Sequence, residues 1–253
     1  GVPIRPLDSE HAAAALLIDA VGGVDAVDEL VLTGSGGSVR DVEPSARARL
    51  PIARVLAHPV WQMGPKITVD SATMINKALE VVEASVLFGL PPERIGVLLD
   101  PGARLHAAVR TRDGRVWAFV GPADMAVPVR QALGIDDPAA AAGILQGAAA
   151  GEALASLVAP SVAQEAVIDL GRRVLAWGGT APMALVAADA VAVAAYLAGA
   201  IPITRVVPLV VETLDAVGAQ AAARSCLDPE DLAVTARAAE LVAQGLVEDD
   251  APA

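Results

Sequence analysis

Cysteine is almost absent from this 253-residue chain, with Cys226 alone. A disulfide within the chain is therefore excluded, which fits a reducing, cytoplasmic compartment. Aromatic residues are also scarce, with two Phe, one Tyr and three Trp. The core must instead come from Ala and Val, which suits closely packed helices. Basic charge is short: 18 Lys and Arg face 30 Asp and Glu, a formal net charge of -12. That argues against a nucleic-acid partner, whose phosphates would be repelled. It does not exclude a small phosphorylated ligand, because a few local cations outweigh a global charge. No secretory peptide is visible, and the start Gly1-Val2-Pro3-Ile4 lacks an initiator Met. The expectation is a chain that begins partway through a longer protein. The apolar stretch 181–201 has Asp189 at its middle and mostly Ala around it. It reads as a buried helix rather than a membrane span, since charge at a bilayer centre is costly.

The length suffices for one large or two smaller domains. Residues 1–7 read as a strand that delivers Asp8-Ser9-Glu10-His11, followed by a helix to about Val21. Residues 29–33 read as a strand before Gly34-Ser35-Gly36-Gly37. Residues 38–64 lack periodicity, carry three prolines and read as a lid. Lys66 to Val69 reads as a short strand, and Asp70-Ser71 as the start of a helix to Phe88. Residues 95–99, 104–111 and 115–120 read as strands, the last two joined by an Asp113-Gly114 hairpin. From Pro122 the pattern is helical, with a linker at Gly134 to Pro138. Breaks follow at Gly178-Gly179, Pro202 and Asp228-Pro229. The fold class is thus an α/β (α+β) catalytic domain with a mixed sheet and a lid loop over 1–134. An all-helical C-terminal domain follows over 135–253.

Four clusters carry chemistry. Asp8 and Glu10, two apart, share a side if the strand continues through them. Carboxylates there suit Mg²⁺ or Mn²⁺, although an acidic strand end is more often simply solvated. Asn76, Lys77, Glu80 and Glu83 share a helix face. That stripe is either a plain ion-paired surface or a phosphate grip beside a metal ligand. The run Thr33-Gly34-Ser35-Gly36-Gly37-Ser38 offers backbone N–H groups to an anion, or is only a flexible turn. It fits neither a Walker loop nor a dinucleotide fingerprint. Trp61 and Met63, after His58-Pro59, either cover a bound ligand or pin their loop to the core.

Taken in order, these blocks resemble one family. Leu7-Asp8-Ser9-Glu10-His11, Leu32 to Gly37, His58-Pro59 with Trp61 and Met63-Gly64, and Val69-Asp70-Ser71-Ala72-Thr73-Met74 with Asn76-Lys77 and Leu79-Glu80 resemble 1-deoxy-D-xylulose 5-phosphate reductoisomerase. The resemblance implies that Asp8, Glu10 and Glu80 bind the metal. It implies that Ser35, Ser71, Asn76 and Lys77 bind substrate and its phosphate, with Ser9 and His58 beside them and Trp61 and Met63 in a closing flap. Glu10, Glu80 and His58 are the catalytic candidates, Glu83 sits where the family has another acidic residue near the metal, and His106 also has a counterpart. The implied reaction is isomerisation and NADPH-linked reduction to 2-C-methyl-D-erythritol 4-phosphate, an isoprenoid precursor, by a homodimer.

The sequence also departs from this pattern. The family's N-terminal NADPH-binding domain has no counterpart here, so the expectation is a truncated chain, with cofactor-binding residues unknown. Asp100-Pro101-Gly102-Ala103, Ala123 to Ala126 and Val186 to Ala190 differ from the family's usual segments. The alternative reading is a non-catalytic module for metal and sugar phosphate, or an inactive paralogue.

Overall fold

A computed structural model describes residues 4–135 and 138–250. The expected strand over 1–7 and the linker at 134–138 therefore fall partly outside the described residues. In chain order the elements are α1 (Ser9–Ala20), β1 (Val27–Gly34), α2 (Pro44–Arg47), α3 (Ile52–Val55), α4 (Pro65–Thr73), α5 (Ile75–Phe88), β2 (Ile95–Leu99), β3 (Leu105–Thr111) and β4 (Val116–Val120). Then come α6 (Ala126–Ala132), α7 (Pro138–Ala142), β5 (Ile144–Gln146), α8 (Ala148–Ala155), α9 (Val162–Trp177), α10 (Ala181–Leu197), α11 (Ile203–Ala222) and α12 (Pro229–Asp249). The fold is a mixed sheet with helices, and a helical C-terminal part.

Two compact units emerge. One joins the residues up to Gly36 with Glu83–Ser161, and the other joins Gly37–Val82 with the residues from Val162 on. The single boundary expected at residue 134 divides by chain order. These units divide by packing, and β5 and α8, beyond residue 134, belong with the sheet.

The first unit is built on five strands in the order β2-β1-β3-β4-β5, parallel only between β1 and β2. Alternation assigns its faces: Val31, Ala108 and Ala118 cluster with Ala150 of α8. On the chain, Gly114 turns β3 into β4 with φ at 83°, as the Asp-Gly pair predicts. Helix α1 packs on β3, β1 and β4. It ends at Gly22 and Gly23, whose φ values of 95° and 110° few other residues adopt.

The second unit is helical, with α10 packed by α4, α9, α11 and α12. Ten of the residues of α10 are buried, among them six Ala and the carboxylate of Asp189. Small side chains let neighbours approach closely. A Cβ placed on Gly171 of α9 would lie 2.2 Å from the carbonyl oxygen of Ala78 on α5. Among the described residues no helix is long and apolar enough to cross a membrane.

Several sequence expectations need correction. Residues 4–7 form no strand, and Asp8 is instead the N-cap of α1. The same-side strand argument for Asp8 and Glu10 therefore falls, and capping geometry replaces it. Residues 66–69 are helical, because Pro65 occupies the first turn after Gly64 and starts α4 there. The helix break comes at Met74, in the left-handed region with φ at 69°, rather than at Asp70-Ser71. Segment 38–64 contains two single-turn helices and contributes Val39 and Val55 to the core. Finally, β5 interrupts the helical run after Pro122, pairing with β4.

Candidate metal and phosphate site

Asp8 starts α1 and receives the first free amides of the helix. Its Oδ1 accepts the N–H of Glu10 at 3.0 Å and of His11 at 3.2 Å. The Nδ1 of His11, whose ring is fully buried, lies 2.9 Å from that same oxygen and 3.4 Å from Glu83 Oε2. Ser9 donates its hydroxyl to the Glu10 carboxylate. Burial pushes the Glu83 carboxyl up from its ordinary range, with His11 opposing and the charge of Asp8 adding to the rise.

Helix α5 carries the next group. Asn76 donates its amide to Glu80 Oε1, and Lys77 Nζ stands 2.6 Å from Glu80 Oε2. Lys77 and Glu80 are 4% and 2% exposed, and each offsets the buried charge of the other. Asp8, Glu10 and Glu80 are carboxylates, and hard oxygen donors of this kind suit Mg²⁺ or Mn²⁺ and not a thiophilic ion.

The remaining candidates lie on segments that lead to α5. Ser35 is buried just past β1. The left-handed Gly37 packs against α4 so tightly that a Cβ would sit 2.5 Å from the Ser71 carbonyl oxygen. Ser71, half-buried, occupies the last turn of α4. His58 folds its own loop: its Nδ1 accepts the N–H of Trp61 at 2.9 Å and of Val60 at 3.3 Å. The proton of the neutral ring is therefore on Nε2. Burial, helped by Arg40, holds its pKa below the ordinary 6.5. Trp61 and Met63 are both half-buried. His106 lies on β3 with its ring 6.0 Å from that of Phe119, and borders a crevice with Ser9.

Two features escaped the sequence. His11 stood in the motif without a role, yet it holds Asp8. Asp100 accepts backbone N–H groups from Gly102, Arg104 and Leu105 and so shapes the β2–β3 turn. Burial opposes its ionisation, but those three bonds and Arg104 keep its carboxyl below the usual range.

Two family profiles match the chain. "1-deoxy-D-xylulose 5-phosphate reductoisomerase C-terminal domain" covers residues 4–88, and "DXP reductoisomerase C-terminal domain" covers residues 120–240. The chain belongs to the 1-deoxy-D-xylulose 5-phosphate reductoisomerase family. The reductoisomerase of Geobacillus kaustophilus is 43% identical over 215 residues, 80% of this chain and 53% of that protein. The reductoisomerase of Thermus thermophilus is 42% identical over 225 residues, 85% of this chain and 58% of that protein. A DOX-P reductoisomerase crystallised with NADPH, fosmidomycin and magnesium superposes with a TM-score of 0.84 at 30% identity, over 97% of this chain and 63% of that one. The Zymomonas mobilis reductoisomerase, in complex with NADPH, gives 0.78 at 28% identity, over 96% and 61% of the two chains. This chain thus spans little more than half the length of the curated reductoisomerases it matches.

Proposed function

We propose that this chain carries the metal- and substrate-binding part of a reductoisomerase that converts 1-deoxy-D-xylulose 5-phosphate to 2-C-methyl-D-erythritol 4-phosphate in isoprenoid biosynthesis. The carrying observation is the buried Glu80 carboxylate of α5, held by Asn76 and Lys77, in a chain that matches the reductoisomerase family over residues 4–88. Asp8, Glu10 and Glu80 would hold Mg²⁺ or Mn²⁺. Once bound, the cation supplies a Lewis acid for the carbonyl and hydroxyl oxygens of the substrate.

The residues of the chain do the rest. Lys77, Asn76, Ser71 and Ser35 bind the phosphate, and that binding energy fixes the reacting end of the substrate. Ser9 reaches a substrate hydroxyl. His58, neutral with its proton on Nε2, donates a hydrogen bond without adding charge. Trp61 and Met63 close over the ligand and exclude water. NADPH serves as reductant in this reading and is assigned to no residue of this chain. In the same reading, residues 1–134 bind metal and substrate, the C-terminal domain over 135–253 is helical apart from β5, and the protein works as a cytoplasmic homodimer.

Calorimetric titration with 1-deoxy-D-xylulose 5-phosphate, with and without Mn²⁺, tests the proposal. Saturable binding that requires Mn²⁺ is the expected result. No binding in either condition would leave the retained motif without a working site and would reject the reading for this chain.

A further inference from the structure

The chain has only two lysines, and both are held by buried carboxylates. Lys77 pairs with Glu80. Lys66, eleven residues earlier on α4, pairs with two carboxylates. Its Nζ stands 2.7 Å from Asp70 Oδ2 and also bonds Asp189 Oδ2 on α10. The Asp70 and Asp189 side chains are 4% and 0% exposed, against 48% for Lys66. Each aspartate gives one oxygen to the lysine. The other oxygen, Oδ1 of each, is buried and finds no hydrogen-bond donor among the described residues.

Two carboxylates against one ammonium leave a buried excess of negative charge. Such a group lowers its free energy by holding a proton. Burial pushes Asp70 up to about 7, with the charge of Asp189 adding and Lys66 opposing. Burial also raises Asp189, against the pull of Lys66. Several charges on the surrounding helices pair among themselves, as Arg172 of α9 does with Glu165 and Asp169. Arg54 of α3 bonds the Ser38 carbonyl, Arg205 of α11 bonds Glu212 and Asp250, Asp215 of α11 pairs with Arg173 of α9, and Arg237 of α12 lies near Glu240.

The cluster also sits where it can matter for binding. Asp70 immediately precedes Ser71, whose carbonyl accepts the Met74 N–H in the left-handed turn that opens α5. The seat of α4 on α10 therefore fixes Ser71 and the entry to the helix of Asn76, Lys77 and Glu80.

We propose that Lys66, Asp70 and Asp189 form a proton-holding clamp between α4 and α10 that positions Ser71 for the substrate phosphate. The phosphate half of this rests on the function proposed above. The folded clamp holds a proton that an unfolded aspartate, with its ordinary pKa near 3.9, releases. Stability from the clamp is therefore greatest below about pH 4, falls as pH rises toward 7, and is level above. Phosphate affinity follows in the same direction, as α4 loosens once both carboxylates are charged. Asp189→Asn leaves a balanced Lys66–Asp70 pair and removes this dependence.

The test compares the full chain with Asp189→Asn, and with Asp70→Asn as a second variant. Thermal melting and Mn²⁺-dependent affinity for 1-deoxy-D-xylulose 5-phosphate are measured from pH 5 to 8.5. The expected result is a melting temperature that falls more steeply with pH in the unaltered chain than in either variant. Its affinity relative to Asp189→Asn should fall about three-fold or more over the same range. Parallel melting curves would overturn the clamp. Diverging melting curves with a constant affinity ratio would overturn the positioning of Ser71. If the unaltered chain binds no substrate at any pH, the functional reading fails and the positioning with it, and the melting curves still decide the clamp.

Discussion

The Nδ1 of His11 stands 2.9 Å from Asp8 Oδ1 and 3.4 Å from Glu83 Oε2, so one ring nitrogen faces two carboxylates. The imidazole fixes the direction of an acid assigned here to the metal. Replacing His11 with Leu should lower Mn²⁺ affinity about 10-fold, as loss of a ligand's supporting hydrogen bond commonly does. Calorimetry reads the affinity, and circular dichroism should show the helix content retained. Unchanged Mn²⁺ binding would mean that Asp8 needs no such support.

Glu80 serves both the proposed metal and Lys77. Glu80→Gln should abolish most Mn²⁺ binding and also remove the carboxylate that pairs with the buried Lys77 ammonium, at a cost of about 3 kcal/mol. Combining it with Lys77→Met should recover most of the stability and none of the metal affinity. Urea denaturation and Mn²⁺ titration of both variants separate the two roles. Full stability in Glu80→Gln alone would show that the pair contributes little.

His58 gives a pH prediction of defined sign. Its folded pKa lies below the ordinary 6.5, so the unfolded chain takes up the proton first as pH falls. The stability it contributes is complete above about pH 6.5 and is lost on acidification toward the folded value. An NMR titration of the ring should give a midpoint below 6.5. A midpoint above that value would contradict the burial and the Nδ1 hydrogen bonds together.

Gly171 tests the close helix packing of the second unit. Its missing Cβ would lie 2.2 Å from the Ala78 carbonyl oxygen, so Gly171→Ala must push α9 and α5 apart. A loss of about 1–3 kcal/mol is expected. Gly151 in α8 has nothing within 4 Å of a built Cβ. Gly151→Ala should therefore stabilise, by about 0.5 kcal/mol, from helix propensity alone. Thermal melting of the two variants should move in opposite directions.

Local signals were legible where one short-range cause decides the outcome. The hairpin at Asp113-Gly114, the strands flanking it and the helix breaks at Gly178-Gly179 and Asp228-Pro229 all rest on turn chemistry within a few residues. Lys66 to Val69 reads as a strand because a four-residue run cannot separate strand from helix, whereas Pro65 starts a helix there. Asp8 looked like the end of a strand because a carboxylate before an Ala-rich run has two readings, and capping was the one realised. The residues of the candidate site were named from sequence, but their grouping was visible only on the α5 face. The second partner of Lys66, Asp189, lies 123 residues away, beyond any periodicity.

Asp8 is an N-cap before it is anything else. Its Oδ1 is committed to two backbone amides and an imidazole, so the helix selects for Asp, Asn, Ser or Thr at this position whatever chemistry follows. A descendant that had lost the reaction would still keep one of those four. Retention of Asp8 in a distant sequence is thus a poor marker of activity. Glu80 is a sharper one: a buried acid in mid-helix brings no capping benefit, and the fold alone would accept an apolar pair in place of Glu80 and Lys77.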